Sequence, residues 1–209
     1  MGKVEKLQYI TQSSEKEAIL NEVRAVVDGG CKLVQLRMKE STESDIIEVA
    51  KVAKDICHSS GAKLIINDSV EVCKIVDADG VHLGKSDSST EYARSILGSD
   101  KIVGRTCNTT DDIISLIGSE IDYIGVGPLR YTTTKKLLSP VIGLNGYEKL
   151  LKESATEFKI VAVGGITLED IKPLIAQGVY GVAVSGAISR SENIAETTKK
   201  FVLEIDNKY

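Results

Sequence analysis

Val76–Gly84 reads VDADGVHLG, and the same pattern returns at 119–127 as SEIDYIGVG and at 177–186 as QGVYGVAVSG. Each segment joins the end of a helix to a short buried strand and closes on glycine. A unit repeated at that spacing fits a closed barrel of identical building blocks. Outward from these segments, short apolar runs alternate with stretches of helical period. Strands are expected at Leu7–Thr11, Lys32–Arg37, Lys63–Ile66, Gly80–Leu83, Ile102–Arg105, Tyr123–Val126, Lys159–Val163 and Gly181–Val184. Helices are expected at Glu15–Asp28, Glu43–Ser59, Ser69–Val76, Ser88–Leu97, Thr110–Gly118, Gly146–Glu153, Leu168–Gln177 and Asn193–Ile205. Each helix carries the chain back to the start of the next strand, so the strands must pair in parallel. Gly29-Gly30, Gly61 and Gly178 fall where helices should stop, as glycines of positive φ. A doubly wound open sheet is the competing architecture. No GxGxxG or Walker-type loop follows the first strand, and eight units close more naturally than they stack. The fold class expected is α/β, a (β/α)₈ TIM barrel, with residues 1–209 forming a single domain.

At 209 residues a second independent core is not expected. With 42% hydrophobic and 27% charged residues the balance is globular. A formal charge of −4 offers no basic field for duplex nucleic acid, and the absence of Trp argues against base-stacking platforms. Cys31, Cys57, Cys73 and Cys107 form no CxxC pair, so they read as reduced packing thiols rather than a zinc site or a disulfide framework. Met1–Leu7 is charged with no apolar run behind it, and nothing is long enough to span a bilayer. The chain reads as cytoplasmic, with small-molecule substrates as partners, no nucleic acid and no membrane; a homo-oligomer is admitted.

In such a barrel the chemistry belongs at the C-terminal strand ends. Strand two ends in Gln35, Arg37 and Lys39, and strand three in Asn67 and Asp68. Gly84, Lys85 and Asp87 follow strand four, and Arg105, Thr106 and Asn108 strand five. Strand six leads into Thr132, Thr133, Thr134, Lys135 and Lys136; strands seven and eight meet Gly164-Gly165 and Ser185-Gly186. Bare glycines ahead of helices hold phosphate by backbone N–H groups. Two carboxylates among cations point to Mg²⁺ shared with phosphate oxygens. The rim therefore reads as holding two phosphorylated groups. Plainer readings stand beside this one. Arg37 or Lys39 equally fits a rim ion pair, Asn67-Asp68 a turn with a helix cap, and TTTKK a solvated loop. His82 reads as a packed or orienting histidine, His58 as serving a helix end, and Tyr123 and Tyr147 as packing.

The ordered blocks YIT (9–11), VQLRMK (34–39), IIND (65–68), DGVHLGKSD (79–87), GRTCNT (104–109), DYIGVGPLRYTTTKK (122–136), VAVGGI (161–166) and GVAVSGAIS (181–189) resemble the thiamine-phosphate synthase family over nearly the whole chain. The resemblance implies a transferase that joins 4-amino-5-hydroxymethyl-2-methylpyrimidine diphosphate to 4-methyl-5-(2-phosphoethyl)thiazole and releases pyrophosphate. It implies that Arg37, Lys39, Asn67 and Lys135 bind the diphosphate with Gln35 beside them, and that Asp68 and Asp87 are ligands of Mg²⁺. Thr106 falls near the pyrimidine diphosphate, Thr132 and Thr134 at the thiazole phosphate, and Gly165 against that phosphate. Ser185 and Gly186 occupy the strand-eight side of the same pocket. The implied catalytic set is Lys135, Arg37 and Lys39. An aminopyrimidine delocalises the cation left when pyrophosphate departs, so the enzyme has to stabilise a leaving polyanion rather than supply a nucleophile.

The chain departs from that pattern at several places. Lys85 stands where the family often has Gln, Thr106 where it has Ser, and Asn108 where it has His. Arg130 and Tyr131 replace aromatic and proline residues, and Gly186 replaces a serine. Lys85 and Arg130 either meet phosphate oxygens or are surface charge. The nearest rival, the thiazole tautomerase paralogue, relies on a histidine at position 108, and Asn cannot shuttle protons as imidazole does. A sugar-phosphate isomerase or epimerase would need a base–acid pair that is not evident here, and a non-catalytic phosphate-ligand-binding barrel would not need the full set of cations and carboxylates.

Overall fold

The computed structural model describes residues 4–131 and 140–206. The first half of the chain forms β1 (Leu7–Ile10), α1 (Lys16–Asp28), β2 (Leu33–Leu36), α2 (Glu43–Ser59), β3 (Lys63–Asn67), α3 (Val70–Val76), β4 (Gly80–Leu83) and α4 (Thr90–Leu97). The second half forms β5 (Ile102–Cys107), α5 (Thr110–Ile114), β6 (Tyr123–Val126), α6 (Gly143–Ser154), β7 (Ile160–Val163), α7 (Leu168–Ala176), β8 (Gly181–Val184), α8 (Gly186–Ser189) and α9 (Ile194–Asp206). Neighbouring strands pair in parallel and in sequence order. β8 closes the ring on β1 through Leu7 opposite Val182 and Tyr9 opposite Val184. The expected (β/α)₈ barrel is the observed fold.

Side chains alternate between the two faces of a strand, so each strand serves two cores. Leu33, Ile65, Ile102, Tyr123, Val161 and Ala183 point inward and pack together, joined by Val4. Val34, Leu64, Val81, Val103, Ile124 and Val182 point outward into the continuous apolar layer beneath the helices. Burying a branched side chain of this kind stabilises the fold by about 1.5–3 kcal/mol relative to leaving it in water. The helices supply the matching apolar stripes: α1 buries Ile19, Leu20, Val23, Val26 and Val27, and α2 buries Val49, Ala50, Ala53 and Cys57. All four cysteines are buried free thiols. No helix among the described residues is long and apolar enough to cross a membrane.

The departures from expectation have local causes. α3 and α4 begin just after Ser69 and Ser89, whose hydroxyls accept from Val72 N and Tyr92 N and so act as N-caps. α5 stops at Ile114 rather than running to Gly118, because Leu116 N and Ile117 N bond three residues back and tighten the chain into turns. β5 runs two residues past its expected end, since β6 offers partners to Thr106 and Cys107 in Gly125 and Val126. α8, four residues long, is too short to show a helical period. Gly30, Gly61 and Gly178 have the expected positive φ, but Gly29 does not, at −72°. Gly29 is required by packing instead: a Cβ there would lie 2.5 Å from the Ala195 carbonyl oxygen of α9.

Candidate active site

At the end of β2, Gln35 is 2% exposed and donates from Nε2 to Asn67 Oδ1 at the end of β3, at 2.6 Å. Two residues on, the Arg37 backbone is tied to buried Thr11. Arg37 N donates to Thr11 Oγ1 at 2.9 Å and the same hydroxyl donates to Arg37 O at 3.2 Å. The guanidinium is half-buried. Burial lowers its pKa, and the nearby Asp68 carboxylate works against that shift. Lys39, further along the loop, is exposed and also acts on Asp68.

Asp68 leaves β3 with φ 69°, a left-handed conformation that Asp tolerates better than most side chains. Its backbone N–H donates to His82 O of β4 at 2.8 Å, which anchors the turn. Its carboxyl group is close enough to that of Asp87 to be raised by it. The two converge on Gly84: a Cβ built there would sit 3.0 Å from Asp87 Oδ2 and 3.9 Å from Asp68 Oδ1. Gly84 N donates to Asp87 Oδ2 at 2.6 Å, folding the β4–α4 loop onto the carboxylate. Arg105 of β5 straps that loop, donating to Ser88 O at 2.7 Å and to Lys85 O at 3.3 Å. Burial first, and the Asp87 carboxylate second, push Asp68 from 3.8 up to about 6 despite Lys39 and Arg37. Two carboxylates forced together away from water ordinarily share a proton or a cation.

Inside the barrel a polar chain crosses the strands. Gln8 Nε2 donates to the Tyr123 hydroxyl at 3.1 Å, and that hydroxyl lies 2.9 Å from His82 Nδ1. His82 Nε2 lies 2.9 Å from Thr106 Oγ1, and its ring stacks on Tyr123 with centroids 5.4 Å apart. His82 is thus bonded at both ring nitrogens as well as packed, and Tyr123 is hydrogen-bonded as well as buried.

On the far side of the rim, Gly164 and Gly165 have φ of 93° and 72°, where L side chains are strained. Gly164 is needed for packing as well, since a Cβ would lie 2.6 Å from Pro128 Cβ. Arg130, at the start of the β6–α6 loop, bridges both carboxylate oxygens of Asp170 and donates to Gly165 O at 3.0 Å. Asp170 is 2% exposed and also accepts from Thr167 N and Oγ1. Ser185 and Ser189 at α8 both donate to Gln12 Oε1. Gln12 N is held in turn by buried Glu22, which also accepts from the Tyr9 hydroxyl and from Ser13. The space a side chain at Gly186 would take is occupied by the Arg190 guanidinium, 3.3 Å away.

The structure thus brings Gln35, Arg37, Lys39, Asn67, Asp68 and Asp87 to one arc of the rim, with Thr106 over His82. Gly165 lies with the Arg130–Asp170 pair, and Ser185 and Gly186 sit at α8. Thr132, Thr134 and Lys135 lie outside the described residues. The two added cations are both committed to acids: Arg130 to Asp170, and Lys85 to Asp112 at 2.6 Å. Asn108 spends its side-chain amide on Gly127 O at 2.5 Å. His58 pairs with Asp79 at the opposite barrel end, at 2.9 Å. The sequence reading missed Gln12, Glu22, Thr11 and Gln8. Their polar atoms act on partners distant in sequence, so no local signal marks them. Among the described residues, no three His, Cys, Asp or Glu side chains form a metal cage.

A (β/α)₈ barrel with cations and paired carboxylates on one arc, and a diglycine turn beside a short extra helix on the other, is an enzyme architecture for phosphorylated substrates. A family model described as thiamine monophosphate synthase matches residues 7–188. A thiamine-phosphate synthase of Bacteroides thetaiotaomicron is 43% identical over 94% of this chain and 95% of its own length. One of Flavobacterium johnsoniae is 44% identical over 90% of each. Among solved structures, the thiamine phosphate pyrophosphorylase of Pyrococcus furiosus superposes with a TM-score of 0.83 at 27% identity, covering 96% of this chain and 95% of that one. The chain belongs to the thiamine-phosphate synthase family, and it is a transferase of thiamine biosynthesis.

Proposed function

We propose that the barrel mouth condenses 4-amino-5-hydroxymethyl-2-methylpyrimidine diphosphate with 4-methyl-5-(2-phosphoethyl)thiazole, with the diphosphate lying on the β2–β4 arc. The observation that carries this reading is the Asp68–Asp87 carboxyl pair beside Arg37. Arg37 and Lys39 take up charge on the diphosphate, joined by Lys135 from the TTTKK segment, and the Gln35–Asn67 pair presents further amide groups. Thr106 contacts the pyrimidine diphosphate. The geometry of the acid pair suits a divalent ion: burial first, and the Asp87 carboxyl second, raise Asp68 to about 6, and a cation can take the place of the proton that this environment favours. Asp68 and Asp87 would hold a bound Mg²⁺, which would supply positive charge to the leaving pyrophosphate. The residues around it orient the diphosphate and exclude water, so that loss of pyrophosphate leaves a cation delocalised over the aminopyrimidine ring. The thiazole nitrogen attacks this carbon while Gly165, Ser185 and Gly186, with Thr132 and Thr134, hold the thiazole phosphate. Holding both partners in one pocket removes part of the bimolecular entropy cost.

Pyrophosphate formation is the test. It is expected only with both substrates and with Mg²⁺, and chelation should lower it on the order of a hundredfold or more, the equivalent of several kcal/mol of charge stabilisation. Release without the thiazole, or no release from the complete mixture, would overturn the reading.

A second expectation concerns the strand-seven side. Arg130→Ala leaves Asp170 without its cation and Gly165 O without a donor. The cost should be about 1–2 kcal/mol of stability, less than for a fully buried pair because Arg130 is half exposed. The KM for the thiazole phosphate should rise while the KM for the pyrimidine diphosphate holds. Equal changes in both constants would argue that Arg130 has no special tie to the phosphate turn.

A further inference from the structure

The polar chain through the barrel has a direction. Gln8, 2% exposed on β1, donates its Nε2–H to the Tyr123 oxygen. A phenol that accepts this bond keeps its own proton for His82 Nδ1, 2.9 Å away. A neutral imidazole that accepts at Nδ1 carries its proton on Nε2, and Nε2 faces Thr106 Oγ1 at 2.9 Å. Thr106 then accepts from His82, and its hydroxyl proton is left for the pocket. Thr106 shares the inward face of β5 with Gly104, one layer nearer the C-terminal rim.

The strands are built around this chain. A Cβ on Gly104 would fall 2.2 Å from Tyr123 Cζ, inside the ring. A Cβ on Gly125 would fall 2.9 Å from His82 Cε1. Two inward strand positions thus lack side chains where the phenol and the imidazole need room. The phenol itself is fully buried, so its hydrogen bonds are made in a medium where leaving one unmade is costly.

We propose that Gln8 and Tyr123 are positioning residues that hold His82 in the Nε2–H tautomer and so make Thr106 an obligate hydrogen-bond donor to the substrate. The group selected at Thr106 is an unprotonated acceptor of the pyrimidine diphosphate, a ring nitrogen or a phosphate oxygen, and an amino group is rejected there. The proposal rests on the reading of this arc as the pyrimidine diphosphate pocket.

The tautomer is measured without reference to activity. The chain has two histidines, so ¹⁵N-imidazole labelling gives two ring systems, and His58→Gln assigns the remaining one to His82. At pH 8 the Nε2 resonance should be of the protonated type and Nδ1 of the acceptor type. In Tyr123→Phe the two should move toward averaged values. The reverse tautomer in the parent chain would overturn the proposal, even if pyrophosphate forms normally. A parent chain with the expected tautomer that forms no pyrophosphate would sink the pocket assignment instead.

Kinetics supply the link to Thr106. Thr106→Val and Tyr123→Phe should each lower kcat/KM for the pyrimidine diphosphate about tenfold, the equivalent of one hydrogen bond. Tyr123→Phe should cost nothing further in the Thr106→Val background; additive losses would break the relay. Binding of inorganic pyrophosphate separates the two acceptors. Weakening by Thr106→Val assigns the contact to a phosphate oxygen, and unchanged binding assigns it to the ring.

Discussion

Asp87→Asn is expected to lower the rate of pyrophosphate formation at least a hundredfold while leaving the fold intact. Asn keeps an oxygen to accept from Gly84 N, so the tight β4–α4 loop survives and only the charge is lost. Asp68→Asn makes the same change on the partner. Asn tolerates left-handed φ at least as well as Asp, so the turn at 69° remains accessible, whereas Ala there would add strain. Losing one carboxylate from a two-carboxylate cation site removes several kcal/mol of electrostatic stabilisation, which corresponds to a factor on the order of a hundred to a thousand. Lys135→Ala should lower turnover strongly as well. Normal rates in all three variants would remove this arc from the chemistry.

The same pair carries a stability signature. The folded state raises Asp68 from 3.8 to about 6, so ionising it disfavours folding. The penalty grows between those two values and is complete above pH 6. In chelator at pH 8, Asp68→Asn should therefore melt higher than the parent. Near pH 3, where the carboxyl is protonated in both folded and unfolded chains, the advantage should vanish. A variant that loses activity while gaining stability is what a site selected for function predicts.

Gly104→Ala should be among the most destabilising single methyl additions in the barrel interior. The new Cβ would lie 2.2 Å from Tyr123 Cζ and 2.3 Å from Cε1. The ring cannot step aside, because Gln8 and His82 hold its hydroxyl and the imidazole stacks along it. Overpacking of this severity costs about 3 kcal/mol or more, a fall in Tm of roughly 10 °C for a chain of this size. Tyr123→Leu vacates the space, so the double variant should recover part of the loss, with a coupling of about 1–3 kcal/mol. A Tm for Gly104→Ala within about 2 °C of the parent would mean the inner layer yields more readily than its contacts indicate.

Much of the site was legible because a parallel barrel turns sequence order into spatial order. Residues just past successive strands must lie side by side on one rim, so Gln35, Arg37, Asn67, Asp68 and Asp87 could be grouped from their positions alone. What each side chain does on that rim was less legible. In sequence, Lys85 and Arg130 looked as well suited to phosphate as Arg37. Whether a cation is free depends on a neighbour such as Asp112 or Asp170, 27 and 40 residues away. Glu22 carries no motif, yet its carboxylate holds Tyr9, Gln12 and Ser13, and through Gln12 the serines of α8.

By itself, the sequence determined the eight alternating units, the parallel direction of the strands and the rim on which the polar residues fall. Those properties follow from periodicity and turn chemistry, which act over a few residues. Tertiary structure alone decided that the Asp68 and Asp87 carboxyls converge beside Gly84. It alone decided that Gln8 reaches Tyr123 across 115 residues, and that Thr106 sits within the extended β5 above His82. Those facts depend on barrel closure and on the register between strands, which set distances across the ring and have no counterpart along the chain.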